Sequence, residues 1–463
     1  METHTLSSTP PTKRPGRPLR PLPFLINRNF TLLWLGQLIS YTGDYVFETA
    51  LVLWVVSSIA RGQQWAPMAV GGTFLAGAIP WLIIAPIAGV FVDRWHDKRR
   101  AMLWANGLSL VLIAVLILAT GVVPLPFIGS IRPPVILELA IIYGTSLLLA
   151  VCAQFFSPAH LALIGDVVDA PDRTRASGSH QVTIHLGTLL GPVVGSLLFF
   201  SIGVQWTLLL NLLSFLIAFI AILAVRPPER IQAMASSEHA PPEQRATFLH
   251  EFVVGLRFYR DSRALMTLLV TGTLIELGGG VRALGIFFLT GNLHAPGSLY
   301  GLLNSSFGIG LLSGAGLAAL FGQRLKATHM YGIAVLAMGV FTIIYARMTN
   351  FAPGLALLFL AGLAQGMFNA AEIAIILHVT PRDFVGRTLA VLTPAYGLAG
   401  MLSTGIASYL YSTLLHDFHV TLLGISFGAL DTLFIAMSVP TLIGGICAMA
   451  RLRAIHITTG DTK

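Results

Sequence analysis

Charge is what this sequence has least of: Asp, Glu, Lys and Arg make up 10% of its 463 residues, against roughly 25% in an ordinary soluble domain. So small a supply cannot cover a water-facing surface, and the 55% of residues that are apolar must face something other than water. Cysteine is almost absent as well. Cys152 and Cys447 both fall in apolar runs and form no CxxC pair, which excludes a disulfide framework and leaves them as buried thiols. No P-loop occurs, so ATP is not the direct energy source. There is no HEXXH motif and no clustered catalytic constellation either, so neither an enzyme nor a cofactor is expected. Pro10 to Pro23 is rich in proline and arginine with no apolar core before it, unlike a cleavable signal peptide, and residues 1–24 read as a disordered tail.

What fills the chain is a succession of apolar runs, each near the 20 residues that cross a bilayer as a helix. They lie near 30–59, 67–92, 101–123, 135–162, 177–202 and 204–225, then near 264–290, 298–321, 329–348, 353–379, 387–412 and 427–450. The fold class expected is an all-α membrane protein of twelve transmembrane helices in two six-helix pseudo-repeats. Residues 25–225 form the first bundle, 226–263 a linker, 264–452 the second bundle and 453–463 a short tail. Within the linker, Phe248, Phe252, Leu256 and Tyr259 among Glu251, Arg257 and Arg260 pattern as an amphipathic helix lying on the membrane.

The +8 net charge does not point to nucleic acid, because the cations gather in short clusters between spans instead of on one face. The tails, the central linker and the turns after spans 2, 4, 8 and 10 hold nearly all of them. Only Arg61, Arg132 and Arg347 fall on the other side, and Arg282 lies within a span. By the positive-inside rule both termini are then cytoplasmic, in a multi-pass protein of the cell membrane, and the number of spans is even. Basic turns recur at matching places in the two halves, as in transporters built from parallel repeats with a substrate site at the midplane.

Two motifs carry a resemblance. The turn after span 2 reads Gly89-Val-Phe-Val-Asp93-Arg94-Trp-His-Asp-Lys98-Arg-Arg, which resembles motif A of the major facilitator superfamily at Gly89, Asp93, Arg94 and Lys98. His96 and Asp97 depart from it. Span 5 holds Gly187-Thr-Leu-Leu-Gly191-Pro192-Val-Val-Gly195, which resembles motif C, associated with exporters in that superfamily; Ser196 replaces its last glycine. Glycines at this spacing form a strip on which another helix packs backbone to backbone. Asn27-Arg28-Asn-Phe30, Leu33-Trp34-Leu-Gly36-Gln37, Gly43-Asp44, Phe156-Ser-Pro158-Ala159, Tyr300-Gly301 and Gly308-Ile-Gly310 are similar to the macrolide-efflux and enterobactin-exporter branch. The resemblance implies the major facilitator fold, a cytoplasmic latch at Asp93 and Arg94, and a central cavity lined by spans 1, 4, 7 and 10. One departure matters: span 4 lacks the arginine of the motif-B drug–proton antiporters, so their coupling scheme does not transfer.

A charge at the bilayer centre costs about 2.5–3.5 kcal/mol on insertion scales, so each one calls for a partner, a cavity or a proton. Span 1 aligns Gln37, Tyr41, Asp44 and Glu48 on one helical face, and span 10 aligns Gln365, Asn369 and Glu372. In span 7, Glu276 and Arg282 flank Gly278-Gly-Gly280, where the helix is expected to break. Asp44, Glu48, Glu276 and Glu372 are the candidates for proton coupling. Gln37, Tyr41, Gln154, Arg282, Gln365 and Asn369 are the candidates for the substrate cavity, although Arg282 is expected first to partner a carboxylate. His180 and His185 read as local hydrogen-bonding partners. His416-Asp417-Phe-His419 lacks the further ligands a metal site needs, so no metal is expected. The function expected is secondary active export of a lipophilic drug, macrolide or siderophore-like compound by alternating access, coupled to protons, in a monomer whose other partners are membrane lipids. A lysophospholipid translocator is the alternative within transport; a membrane-embedded enzyme or a channel is the alternative outside it.

Overall fold

The computed structural model describes residues 26–122, 133–226 and 256–452, apart from positions 96, 258, 261, 323, 382, 383 and 423. Both tails, and the expected amphipathic helix from Phe248 as far as residue 255, lie outside the described residues. Among the helices described, eleven are long and apolar enough to cross a membrane. The first, Arg28–Trp54, is the twelfth: its 27 residues give it the length, and the polar stripe of Gln37, Tyr41, Asp44 and Glu48 lowers its hydropathy.

Helix breaks fall where the backbone chemistry places them. Span 2 divides into Ala66–Ile83 and Ala85–Arg94 because Pro86 opens a new first turn. Span 4 continues through Pro158 to Val167. Span 7 runs as Arg263–Gly279, a 3₁₀ stretch Gly280–Leu284, and Gly285–Gly291, so the triple glycine interrupts it as its sequence implies. Asn27 caps span 1 by accepting from Phe30 N at 2.8 Å, and its amide donates to the Val167 carbonyl at the end of span 4. Arg99 donates to the Ile222 and Leu223 carbonyls that end span 6.

Packing repeats between the halves. Span 1 packs on 5 and 6, span 3 on 4 and 6, and span 2 on 4; in the same pattern span 7 packs on 11 and 12, span 9 on 10 and 12, and span 8 on 10. The halves meet where span 2 lies on span 11 and span 5 on span 8, two contacts that exchange under the same pseudo-symmetry. Large apolar side chains such as Ile136, Leu320 and Trp104 cover the outer surface, as they must where lipid replaces water.

Spans 8 and 10 approach through a reciprocal set of glycines. A methyl on Gly310 or Gly314 would overlap the Phe359 or Leu363 carbonyl, and one on Gly362 or Gly366 would overlap that of Phe307 or Leu311. Gly362→Ala should therefore destabilise the protein by about 1–3 kcal/mol, the usual range for overpacking. Thermal unfolding in detergent checks this against Gly316→Ala, where nothing lies within 4 Å; equal melting of the two variants would refute it.

The two faces of the bundle differ. Residues of both halves, from Phe47 and Leu208 to Leu284 and Phe434, share one core at the face away from the termini, here called distal. At the terminal face the cores separate, one holding residues 26–225 and the other residues 259–452. Interface glycines follow the same division. Gly71, Gly297, Gly301 and Gly397 lie close against the opposite half, whereas Gly89, Gly178, Gly316 and Gly386 face open space. The structure is closed at the distal face and open at the terminal one.

Candidate functional site

A cavity of three lobes, ≈ 570, ≈ 580 and ≈ 270 Å³, reaches from within the first half, which alone lines the first lobe, to the seam between the halves. Phe74 lines all three, Trp81 joins the first two, and Tyr300 and Asn304 join the second to the third. The first lobe is walled by Gln37, Tyr41, Asp44, Glu48 and Gln154, so the polar stripe of span 1 turns inward with one side chain of span 4. The second lobe takes Glu276 and Arg282 from the broken span 7 and Tyr396 from span 11. Spans 2, 5, 8 and 11 thus supply wall as well as spans 1, 4 and 7.

Span 1 is held in place from behind. Gly187, Gly191 and Gly195 of span 5 sit against it, and a methyl at each would meet the Tyr41 backbone, the Tyr45 side chain and the Val46 carbonyl, respectively. Pro192 lies within the same helix. The strip that resembles motif C is therefore the bed of the helix that carries Asp44 and Glu48.

Span 10 behaves differently. Gln365 donates to Asn369 at 3.0 Å, and Gln365 lines a small side pocket of ≈ 70 Å³ with Arg282. Glu372 is buried behind Tyr396, whose hydroxyl lies at hydrogen-bonding distance, 2.6 Å, from its carboxyl oxygen. Nor does Arg282 find the carboxylate expected for it. Its Nε turns back to the Gly279 carbonyl at 3.3 Å, and the guanidinium lies over the Phe307 ring at 5.4 Å. The cause is local: the 3₁₀ turn directs the side chain back across its own backbone and leaves it facing the cavity.

At the terminal face, Lys98 donates to the Val92 carbonyl at 2.5 Å. Gly89 meets nothing within 4 Å, so the close helix approach expected there is absent from this open arrangement. Asp93 and Arg94 end the helix Ala85–Arg94, and their side chains fall outside what is described. Of the linker pattern, Tyr259 is buried and donates to the Thr388 carbonyl, while Leu256, Arg257 and Arg260 are exposed.

Several residues of the site gave no sequence signal. Trp81, Asn304 and Tyr396 stand alone in apolar runs, and only tertiary packing brings them to the cavity. Another is His160. It is buried with no hydrogen-bond partner on either ring nitrogen, its ring 5.0 Å from that of His180 and stacked on Phe156 at 5.7 Å.

Two pseudo-symmetric six-helix bundles enclosing a cavity with ionisable side chains in its wall, open at one face, make this a multi-pass membrane transporter of the major facilitator superfamily. The family described as transmembrane secretion effector matches residues 19–444, and the chain belongs to it. Macrolide efflux protein A of Streptococcus pyogenes is 22% identical over 376 residues, covering 80% of this chain and 86% of that protein. The lysophospholipid transporter LplT of Yersinia enterocolitica is 27% identical over 359 residues, covering 74% and 77%. Among solved structures, the nucleoside transporter NupG superimposes with a TM-score of 0.67 at 12% identity over 93% of this chain and 100% of that one, a likeness of fold alone.

Proposed function

We propose that this protein is a proton-coupled exporter of lipophilic cations, macrolide-like amines among them, and that it works by alternating access. One observation carries the reading. Asp44, Glu48 and Glu276 line the cavity among aromatic side chains, and among the described lining residues Arg282 is the one permanent cation, already set over Phe307. Carboxylates beside aromatic faces attract an ammonium group and repel the anionic groups of a siderophore. Taking the basic terminal face as cytoplasmic, the open cavity faces the cytoplasm, where an exporter collects its substrate.

In the cycle, Asp44 and Glu48 hold either protons or the substrate cation, so that proton entry from outside displaces the substrate there. Glu276 and Glu372 serve the second half. On return, Asp93 and Arg94 close the cytoplasmic face as Gly89 meets its neighbour. Relatedness to LplT favours lysophospholipid as a second reading.

Proteoliposomes with an imposed pH gradient separate the two readings. A labelled macrolide should move with the gradient at a rate well above protein-free vesicles, a labelled siderophore should not, and a protonophore should stop the flux. Lysolipid movement that ignores the gradient, with a static macrolide, would replace the first reading by the second.

A further inference from the structure

The Tyr396 hydroxyl stands 2.6 Å from Glu372 Oε1 and 2.9 Å from the Leu268 carbonyl. A phenol has one hydrogen and can donate it to one acceptor at a time. Both contacts are hydrogen bonds together only when the carboxyl brings its own hydrogen. Glu372 then donates to the Tyr396 oxygen, and Tyr396 donates to Leu268. An ionised Glu372 takes the phenolic hydrogen for itself, and the tie from span 11 to span 7 is lost.

What surrounds Glu372 supports this reading. It is 8% exposed and has no ion-pair partner among the described residues. Glu276 faces it from span 7, Tyr331 from span 9, Tyr396 from span 11 and Tyr259 from the stretch before span 7. Tyr331 is engaged with the Thr271 hydroxyl at 2.6 Å, and Tyr259 with Thr388. Gly272 makes room for the Tyr396 ring, since a methyl there would overlap the phenol. The next residue, Gly397, is where the Trp81 ring of span 2 seats on span 11 across the seam between the halves. A change in the tie at residue 396 therefore acts one residue away from the interface.

We infer that Tyr396 is a positioning residue that converts the protonation of Glu372 into the placement of span 11 against spans 7 and 2. This rests on the proton-coupled reading above and adds to it the residue that transmits the proton's effect. In its neutral form Glu372 holds span 11 as it is found here, with the terminal face open. Ionisation frees span 11 to shift its contact with Trp81.

The test measures shape apart from transport. With Cys152 and Cys447 changed to alanine, spin labels at Gly178→Cys and Gly386→Cys report the opening of the terminal face in nanodiscs; both positions have open space around them. In the parent, the distance between labels should shift as pH is raised. Glu372→Gln, whose amide donates to Tyr396 as the neutral acid does, should keep the low-pH distance throughout. Tyr396→Phe retains the ring but not the hydroxyl, and should lose the pH response. The inference is overturned by a parent distance that ignores pH, or by either variant responding as the parent does; should one variant fail to fold, the other decides. Substrate flux driven by a pH gradient is scored separately. A parent without such flux whose distance still depends on Tyr396 would sink the proton-coupled reading and leave the switch. A parent with that flux and a Tyr396-indifferent distance would do the reverse.

Discussion

The double variant Asp44→Asn with Glu48→Gln is expected to show no proton-driven export, its flux in proteoliposomes falling to that of protein-free vesicles. Both amides keep the size and much of the hydrogen-bonding capacity of the acids they replace, so the packing of span 1 on the Gly187–Gly195 strip is preserved. What they cannot do is ionise. Asp44 and Glu48 share one wall of the first lobe, and one carboxylate left alone can still exchange a proton for a cation. Each single variant should therefore retain part of the flux that the double loses. Binding of a neutral analogue, measured by fluorescence quenching, should survive, which separates lost coupling from lost structure. Undiminished pH-driven flux in the double variant would refute the assignment.

A second large effect is expected at the distal closure. Gly301 of span 8 lies against the Pro192 carbonyl of span 5, its amide donates to Ser196 Oγ at 2.7 Å, and Ser305 Oγ donates to the Leu189 carbonyl at 2.5 Å. No side chain fits at residue 301 while the distal face is shut. Gly301→Val adds bulk that only this conformation feels, at a cost of about 1–3 kcal/mol, and so should shift the balance of conformations roughly 5- to 150-fold toward the distal-open form. Spin labels at Ser201→Cys and Leu414→Cys, both exposed at the distal ends of their spans, should move apart, and net export should fall with them. An unchanged distance distribution with normal export would overturn the argument. The substituted Ser196, where motif C has glycine, also has a use here, since its hydroxyl holds the Gly301 amide.

The fold was largely legible because a bilayer permits few solutions. Apolar length marks each crossing, and punctuation by Pro86 and Gly278-Gly-Gly280 marks where helices break. The first span was the hardest to see by hydropathy, since the same Asp44 and Glu48 that make it functional make it less apolar. Within the site, the stripe of span 1 could be read because its residues share one helix, where spacing fixes direction. Glu372 could be read as an ionisable residue but not as one shielded by Tyr396, because the phenol arrives from another helix. Arg282 defeated expectation for a related reason: a 3₁₀ turn rotates a side chain away from the direction an unbroken helix would give it. The glycines common to spans 8 and 10 were partly visible as Gly308-Ile-Gly310, yet it is Gly310, Gly314, Gly362 and Gly366 that touch, while Gly308 faces open space.

The unlike construction of the two faces has a consequence for how the molecule answers its surroundings. Its distal door is made of Gly301 against the Pro192 backbone and of Gly71, Gly297 and Gly397 against the side chains of Ser408, Phe200 and Trp81, a fit of shapes that dissolved ions hardly touch. In the cycle proposed above, its terminal door closes through Asp93 and Arg94, by ionic attraction that salt weakens within a Debye length. On that proposal, ionic strength on that side alone becomes a control knob, expected to slow one half of the turnover while leaving the other untouched.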